Sequence, residues 1–272
     1  MSRILHISDI HLERSNTETP VGEWDYVFAT GDICENALQA IKWLDKIKVE
    51  NIIYIPGNHE SAGFNIDEHF DQARKLSEKT GHVRFLNNDI LKMDNTLIYG
   101  GTFWTGFELY PSKGIDLLKH SKIYMPEYST ILKNKEFLRP EQTLDWHSKH
   151  LDMIKFMLSQ DAEYKFVLTH HAPSKLSVDP HFKDHISSNY FANDYSYLLE
   201  KTDMWFHGHM HHFQKRIENG CFISCNPRGY HDKNEVPKDY YTRGTYTAYK
   251  NNTRNMNIYD SFDFGEGRCT SS

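Results

Sequence analysis

Five short stretches of the sequence place aspartate, asparagine or histidine immediately after an apolar run. They are Ser8-Asp9-Ile10-His11, Gly31-Asp32, Gly57-Asn58-His59-Glu60, Thr169-His170-His171 and His207-Gly208-His209-Met210-His211-His212. In an open α/β sheet, ligands bind beyond the carboxyl ends of the strands. We therefore expect the five stretches, called tips 1 to 5 in chain order, to meet and form one polar site.

Each tip has an ordinary structural explanation when it is taken alone. Asp9 and His11 fit a turn cap and a surface histidine. Gly31-Asp32 fits an ordinary turn, and a lone His170 fits a buried core residue. Four histidines within six residues at tip 5 are typical of a metal site, with a solvated loop as the alternative. Five such tips in one chain make coincidence a poor explanation, so we favour one shared chemical site.

The spacing within the tips suits metal binding. In an extended chain, residues i and i+2 point to the same side, so Asp9 and His11 can converge on one cation, as can His209 and His211. Carboxylate and imidazole ligands together suit Mn, Fe or Zn better than Mg or Ca. Seven candidate ligand side chains, one of them a carboxylate able to bridge, exceed the needs of one ion and predict two.

Short apolar runs alternate with helical patterns, which predicts an α/β sheet with helices on its faces. The predicted strands are residues 3–8, 26–30, 51–56, 89–93, 96–101, 164–171, 203–212, 219–227, 244–250 and 255–260. The predicted helices are 36–48, 66–79 and 141–159, the first with Asn36 as its N-cap. Asp94-Asn95 predicts a hairpin between the fourth and fifth strands.

The composition indicates a globular protein. Hydrophobic residues make up 39% and charged residues 25% of the 272 residues, which argues against disorder. The formal net charge of −6 gives no sign of a general nucleic-acid binder, although bound cations would change the local field. No window has the ~20 apolar residues that a membrane span needs, so we expect no membrane association.

The N-terminus and the cysteines predict a cytoplasmic protein. The segment "MSRILHISD" has only a two-residue apolar run before His6, unlike a signal peptide. Cys221 and Cys225 lie roughly 13 Å apart if the chain is extended, too far for a disulfide. We interpret these two, with Cys34 and Cys269, as thiols in a reducing compartment.

The tips in their order, D-x-H, G-D, G-N-H-E, H and G-H-x-H, resemble the calcineurin-like metallophosphoesterase superfamily. The resemblance covers residues 9–211, most of the chain. It implies an α/β fold, a four-layer α/β/β/α sandwich. We see no linker that would divide the chain, and predict a single domain over 1–272.

The resemblance assigns a role to each motif position. It implies that Asp9, His11 and His211 hold one metal, that Asn58, His170 and His209 hold the other, and that Asp32 bridges both. It implies that His59 acts as an acid on the leaving group. His171, His207 and His212 fall outside the motif, and Glu60 is expected to orient His59 or a backbone group.

The family resemblance leaves the phosphate-binding residue open. The protein phosphatases of the superfamily extend the second motif as G-D-x-x-D-R-G, whose arginine grips the phosphate. Here the same stretch reads Gly31-Asp32-Ile33-Cys34-Glu35-Asn36, without the arginine, which disfavours that branch. Arg228, in "CNPRGY", is a candidate substrate-binding replacement, and the alternative is a surface arginine in a Pro-Gly turn.

Residues 103–139 lie between the third and fourth motifs and form a candidate insertion over the site. From 111 to 139 the segment has six Lys or Arg against three acids, with aromatics beside them. This mixture suits a nucleotide base and phosphate. The alternative is a small local core of aromatics with lysines in water.

The sequence therefore predicts a metal-dependent phosphoric ester hydrolase. Its substrate would be a small phosphate monoester or diester, nucleotide-like esters included, hydrolysed by water activated between two divalent ions. Mn is the expected metal, with Fe or Zn as alternatives. Two other hypotheses stay open: a nuclease acting on DNA or RNA, and a non-catalytic scaffold of the same fold.

Overall fold

Fourteen strands and six α-helices are found in residues 2–249 and 257–260, which the computed structural model describes. The strands are β1 (Ser2–Ile7), β2 (Tyr26–Thr30), β3 (Asn51–Ile55), β4 (Val83–Phe85), β5 (Asp89–Met93), β6 (Thr96–Gly101), β7 (Leu132–Lys133), β8 (Glu136–Phe137), β9 (Tyr164–Thr169), β10 (Met204–His207), β11 (Gln214–Glu218), β12 (Cys221–Cys225), β13 (Thr245–Tyr249) and β14 (Asn257–Asp260). The helices are α1 (Ala37–Leu44), α2 (Ile66–Thr80), α3 (Leu117–Tyr124), α4 (Glu127–Thr130), α5 (Pro140–Ser159) and α6 (Tyr240–Arg243).

Two six-stranded mixed sheets carry all five tips. The first has the strand order β14-β13-β1-β2-β3-β4 and the second has the order β11-β12-β10-β9-β6-β5. Strands β1 to β4 are parallel, and so are β6, β9, β10 and β12. Tips 1 to 3 follow β1, β2 and β3 of the first sheet, and tips 4 and 5 follow β9 and β10 of the second. Neighbouring parallel strands therefore place their tips at a common edge of each sheet.

An apolar core joins the two sheets. It combines Ile4, Phe28 and Ile53 of the first sheet with Ile98, Phe166, Leu168 and Phe206 of the second. Helices α1 and α2 pack on another core on the first sheet, and α5 packs on a third core on the second sheet. The predicted mixed α/β fold, with two sheets flanked by helices, is confirmed. The order of four layers stays a prediction, as does the single domain.

The longer elements agree with the sequence pattern, while their ends differ. The helix predicted over 36–48 ends at Leu44, although Ile47 beyond it is still buried against the same core. The side chain of Asn36 caps this helix by accepting from the N–H groups of Leu38 and Gln39, as predicted. The predicted hairpin is the antiparallel pair β5–β6. Residues 250 and 255–256, which end or begin predicted strands, lie outside the described residues.

Short elements escaped the sequence analysis. Strand β4 has only three residues, and β11 has the largely polar sequence QKRIE. Between tips 4 and 5 the chain forms short 3-10 helices at Lys175–Ser177, Pro180–Phe182, Ile186–Tyr190 and Ser196–Lys201. Runs this short carry no usable hydrophobic period.

Three of the four cysteines, Cys34, Cys221 and Cys225, are free and buried, and Cys269 lies outside the described residues. None of the helices in the described part of the chain has the length and apolar character that crossing a bilayer requires.

Phe206 tests the core between the sheets. It is fully buried, and its ring centroid lies 5.1 Å from those of His6 and Phe28. Phe206→Ala should lower the free energy of unfolding by about 3–5 kcal/mol, because the sheets cannot close the cavity that it leaves. Urea unfolding measures this loss. Phe156→Ala is the control, since Phe156 is 56% exposed, and equal losses for the two variants would contradict the assignment of this core.

Candidate metal centre

Tips 1, 2 and 5 share an unusual backbone conformation. Asp9, His11, Asp32, His209 and His211 all have positive φ, between 46° and 67°. Residues with a Cβ rarely adopt this left-handed region, and it is often found at functional sites. The sequence analysis expected Asp9 and His11 to converge because the chain is extended there. That reason is wrong, since both residues have left-handed backbone. They do converge, but through left-handed backbone in the turn after β1.

The first group of converging side chains is formed by Asp9, His11 and His211. His11 Nε2 lies 3.3 Å from His211 Nε2, and His211 Nε2 lies 3.4 Å from Asp9 Oδ1. One ligand atom from each residue lies within 4.8 Å of those of the other two. Tips 1 and 5 thus form one site that can hold a cation.

The second group is formed by Asp32, His170 and His209, whose ligand atoms also lie within 4.8 Å of one another. His170 Nε2 is 3.2 Å from Asp32 Oδ2 and 2.9 Å from Asn58 Oδ1. Asp32 belongs equally to a group with His11 and His59, and its Oδ2 is 3.9 Å from His11 Nε2. The carboxylate of Asp32 therefore lies between the two groups, where a bridging ligand would be needed.

Hydrogen bonds behind the histidines fix their rings. The Nδ1–H group of His170 donates to the Thr30 carbonyl oxygen at 2.7 Å. His11 and His211 use Nδ1 in the same way, toward Glu13 Oε1 and Glu235 Oε2, both at 2.8 Å. Since a carbonyl or carboxylate oxygen can only accept, Nε2 of each ring is left to face the site. This arrangement is common behind metal-binding histidines.

His209 has one ring nitrogen without a hydrogen-bond partner. Its Nε2 is buried and has no hydrogen-bond partner, while its ring stacks on Phe191 at a centroid distance of 4.8 Å. Burial, followed by the charges of His171 and His170, lowers the pKa of His209 well below its usual value. A buried, neutral imidazole with a free nitrogen suits metal ligation, so the residues present fit a bound ion.

The carboxylates carry negative charge in this site. Burial alone would raise the pKa of Asp32, but the charges of His170 and His59 hold it well below its usual range. Burial lowers the pKa of His170, but the charge of Asp32 outweighs burial and raises this pKa to about 9. A hydrogen bond to Asp9 raises that of His211 to about 9 as well, again against burial. Protons on the histidines thus balance charges that cations could neutralise.

Glu60 holds tips 2 and 3 together. Its carboxylate accepts the N–H groups of Asp32 at 3.0 Å, Ile33 at 2.8 Å and Gly57 at 2.7 Å, and the hydroxyl of Tyr54 at 3.0 Å. It therefore orients backbone groups, which was one of the two alternatives predicted for it. The backbone of Gly57 lies so close to Asp32 that a Cβ at this position would overlap Asp32 Oδ1, which explains the glycine.

His59 lies beside the two groups. Its backbone N–H donates to Asp32 Oδ1 at 3.0 Å, and its ring, 19% exposed, has Nε2 3.9 Å from Asp32 Oδ2. Burial lowers its pKa, but the charges of Asp32 and Glu127 raise it above the usual value. His171, His207 and His212 bond elsewhere, to Thr102, Ser177 and Asp179.

Arg228 supports the turn of tip 1. Its Nη1 donates to the Ile10 carbonyl oxygen at 3.1 Å and to Ser15 Oγ at 3.0 Å, and the residue is 9% exposed. The alternative of a surface arginine is therefore wrong. Arg228 is absent from the lining of the cavity described next, so its role in substrate binding stays a prediction without support from its contacts.

A cavity of about 800 Å³ opens beside the two groups. Asp32, Asn58, His59, His209 and His211 form one side of it. The other sides come from three segments, 120–127, 178–191 and 230–235. Part of the predicted insertion 103–139 therefore does border the site.

The expected contribution of the insertion's lysines is not found. Lys113, Lys119 and Lys122 do not line this cavity, and the last two border a separate depression instead. The insertion contributes Glu127, which is 4% exposed and whose Oε1 accepts a hydrogen bond from Asn58 Nδ2. This bond turns Asn58 Oδ1 toward His170. Burial raises the pKa of Glu127.

The calcineurin-like phosphoesterase family profile matches residues 2–213, which include every tip. The chain belongs to this family. Members hydrolyse phosphoric esters and typically bind two metal ions, and the groups around Asp32 are candidates for both.

Two known proteins are similar to this chain. An uncharacterized protein of Acanthamoeba polyphaga mimivirus is 28% identical over 267 residues, covering 85% of this chain and 93% of the relative. The crystal structure of phosphopantetheinyl hydrolase from Mycobacterium tuberculosis is similar with a TM-score of 0.66 at 16% identity, covering 88% of this chain and 93% of that one. At that identity the likeness shows the fold alone.

Glu60→Gln tests the bond between tips 2 and 3. A glutamine would point its NH₂ group at backbone N–H groups that need acceptors, so the free energy of unfolding should fall by about 1–3 kcal/mol. Affinity for Mn²⁺ should fall with it, because Asp32 loses its support. Thermal unfolding and calorimetry measure the two effects. Glu78→Gln, on the exposed face of α2, is the control, and no difference between the variants would contradict the role of Glu60.

Proposed function

We propose that this protein hydrolyses a small phosphate ester with the help of two divalent ions. One observation carries the proposal: two groups of Asp and His side chains, buried except for the partly exposed His211, meet near the carboxylate of Asp32, beside a cavity large enough for a substrate. The buried and unpartnered His209 Nε2 supports it further, because a cation would satisfy that atom.

The proposed ligands divide between the groups as the motif implies. Asp9, His11 and His211 would hold one ion, Asn58, His170 and His209 the other, and Asp32 both. Mn is the proposed metal, since carboxylate, imidazole and amide oxygen form a mixed donor set that Fe and Zn also accept. Ions bound there supply charge neutralisation for the phosphate and activation of water.

The chain's own residues have distinct tasks in this proposal. The Nδ1 hydrogen bonds of His11, His170 and His211 keep each Nε2 pointing at the site. His59, partly exposed in the cavity, donates a proton to the oxygen of the departing alcohol as the P–O bond breaks. Water supplies the oxygen that the phosphate gains, so no covalent enzyme intermediate is needed.

The cavity favours a small substrate over a nucleic acid. Among the residues found to line it, Lys233 is the only lysine or arginine, whereas binding a polynucleotide takes several phosphate contacts. The nuclease alternative therefore ranks second, and cleavage of an oligonucleotide would favour it. The scaffold alternative ranks last, because every motif ligand is present.

We expect the protein to bind two Mn²⁺ per chain. Asp32→Asn should weaken both sites, because the residue shared by the two groups loses its charge. His11→Ala should chiefly weaken one site and serves as the comparison. Elemental analysis and calorimetry measure both. Saturation of the unmodified protein at one equivalent would contradict the two-ion site.

His59→Asn separates an acid role of His59 from a structural one. His59→Asn should keep metal binding and lower kcat by about 10²–10⁴-fold on alkyl phosphates, whose leaving groups need a proton. The loss should be smaller on p-nitrophenyl phosphate, whose leaving group departs with less help. Equal losses on the two esters, together with weaker metal binding, would show that His59 only braces the turn.

A further inference from the structure

An apolar side pocket adjoins the proposed metal centre. We define the side pocket as the part of the cavity lined by Tyr124, Val178, Phe182, Ile186 and Phe191. Phe191 stacks on the His209 ring, so the pocket begins directly beside the second metal group. Its two walls come from segments 120–127 and 178–191. A hydrogen bond of 2.6 Å between the Tyr190 hydroxyl and His120 Nδ1 joins these segments.

The side pocket leaves large aromatic surfaces uncovered. Tyr124 is 65% exposed and Phe182 is 49% exposed, although both line a cavity. Apolar side chains grouped in this way at a concave site are typical of ligand binding. A phosphate group alone would fill only a small part of the roughly 800 Å³ cavity, so the rest is free for the alcohol to which the phosphate is bound.

Glu127 adds one polar feature to this surface. It lines the cavity and is 96% buried, with one oxygen bound to Asn58. Its other oxygen, Oε2, is buried and has no hydrogen-bond partner. A buried acceptor without a partner is costly, and a donor from a ligand would remove that cost. The metal-ligand groups found in the described residues do not include Glu127, which favours a donor from the substrate over a metal.

We propose that the side pocket binds the leaving group of the substrate, and that this group is a largely apolar, aromatic alcohol with an O–H or N–H that donates to Glu127 Oε2. The proposal rests on the proposed function, because it places the phosphate at the metal centre. The two parts of the surface recognise different parts of one molecule. The aromatic walls cover its ring, and Glu127 selects for a donor close to the ester.

Inhibition by phosphonates tests both parts, since these compounds keep the phosphorus group and cannot be hydrolysed. With Mn-loaded protein and p-nitrophenyl phosphate as substrate, naphthylmethylphosphonate should inhibit at least about tenfold more strongly than methylphosphonate. Among isomers with one ring hydroxyl, at least one should bind about tenfold more tightly still. Equal inhibition constants for the naphthyl and methyl compounds would overturn the apolar part, and no gain from any hydroxyl isomer would overturn the Glu127 part.

Matched variants assign these effects to residues. Phe182→Ala and Tyr124→Ala should each weaken naphthylmethylphosphonate by about three- to tenfold relative to methylphosphonate. Tyr197→Ala is the control, because Tyr197 is 54% exposed and lies outside the cavity lining. Glu127→Gln can still accept from Asn58 but replaces Oε2 with an NH₂ group, which only donates, so the ring hydroxyl loses its acceptor and the gain from it should fall.

Methylphosphonate binding reports, in every variant, whether the metal centre is still intact. Calorimetry of the phosphonates with Mn-loaded protein keeps the pocket testable if the protein hydrolyses no ester. Selective binding without hydrolysis would then contradict the proposed function and support the pocket. Hydrolysis without selective binding would support the proposed function and contradict the pocket.

Discussion

The carboxylate of Glu60 is the interaction on which the site depends most. It ties the backbone after β2 to the backbone after β3 through N–H groups of Asp32, Ile33 and Gly57. Those two turns present Asp32, Asn58 and His59, which are three of the side chains with proposed roles. Glu60 is buried, and its carboxylate accepts hydrogen bonds from four donors. Its oxygens are therefore occupied by these donors, and Glu60 can hold this geometry without binding a cation itself.

The left-handed turns impose a second constraint. Five proposed ligands occupy a backbone region that costs free energy for any residue with a Cβ. Hydrogen bonds between the tips offset this cost, among them the N–H of Asp9 to the Gly31 carbonyl and the N–H of His11 to the Asp32 carbonyl. The tips are therefore one cooperative structure, and their side chains are held in place before any ligand arrives.

Sequence reasoning found the tips because polar residues after apolar runs are a local pattern. It also predicted the main strands and helices, whose hydrophobic periods span enough residues to be read. It could not find Glu13, Glu127 or Glu235, because nothing local distinguishes these acids from solvated ones. Glu127 and Glu235 reach the site only through the folding of segments that contain short elements.

Sequence reasoning also assigned a substrate-binding role to lysines of the insertion that do not line the cavity. Local charge suggested that Lys119 and Lys122 face the substrate, but α3 turns them outward and presents His120 and Tyr124 to the cavity. A helix of eight residues has two faces, and composition alone does not say which one packs inward. The cavity lining favours the predicted aromatic contribution of the insertion and does not include its lysines.

Each proposed metal group takes residues from both sheets. Asp9 and His11 follow a strand of one sheet while His211 follows a strand of the other, and the same holds for Asp32 and Asn58 with His170 and His209. An ion bound in either group would thus act as a cross-link between two sheets that, in the described residues, also meet through apolar packing and buried hydrogen bonds. Sliding one sheet past the other would then require loss of the metal, so a chelator would lower the mechanical resistance of the whole fold as well as any activity.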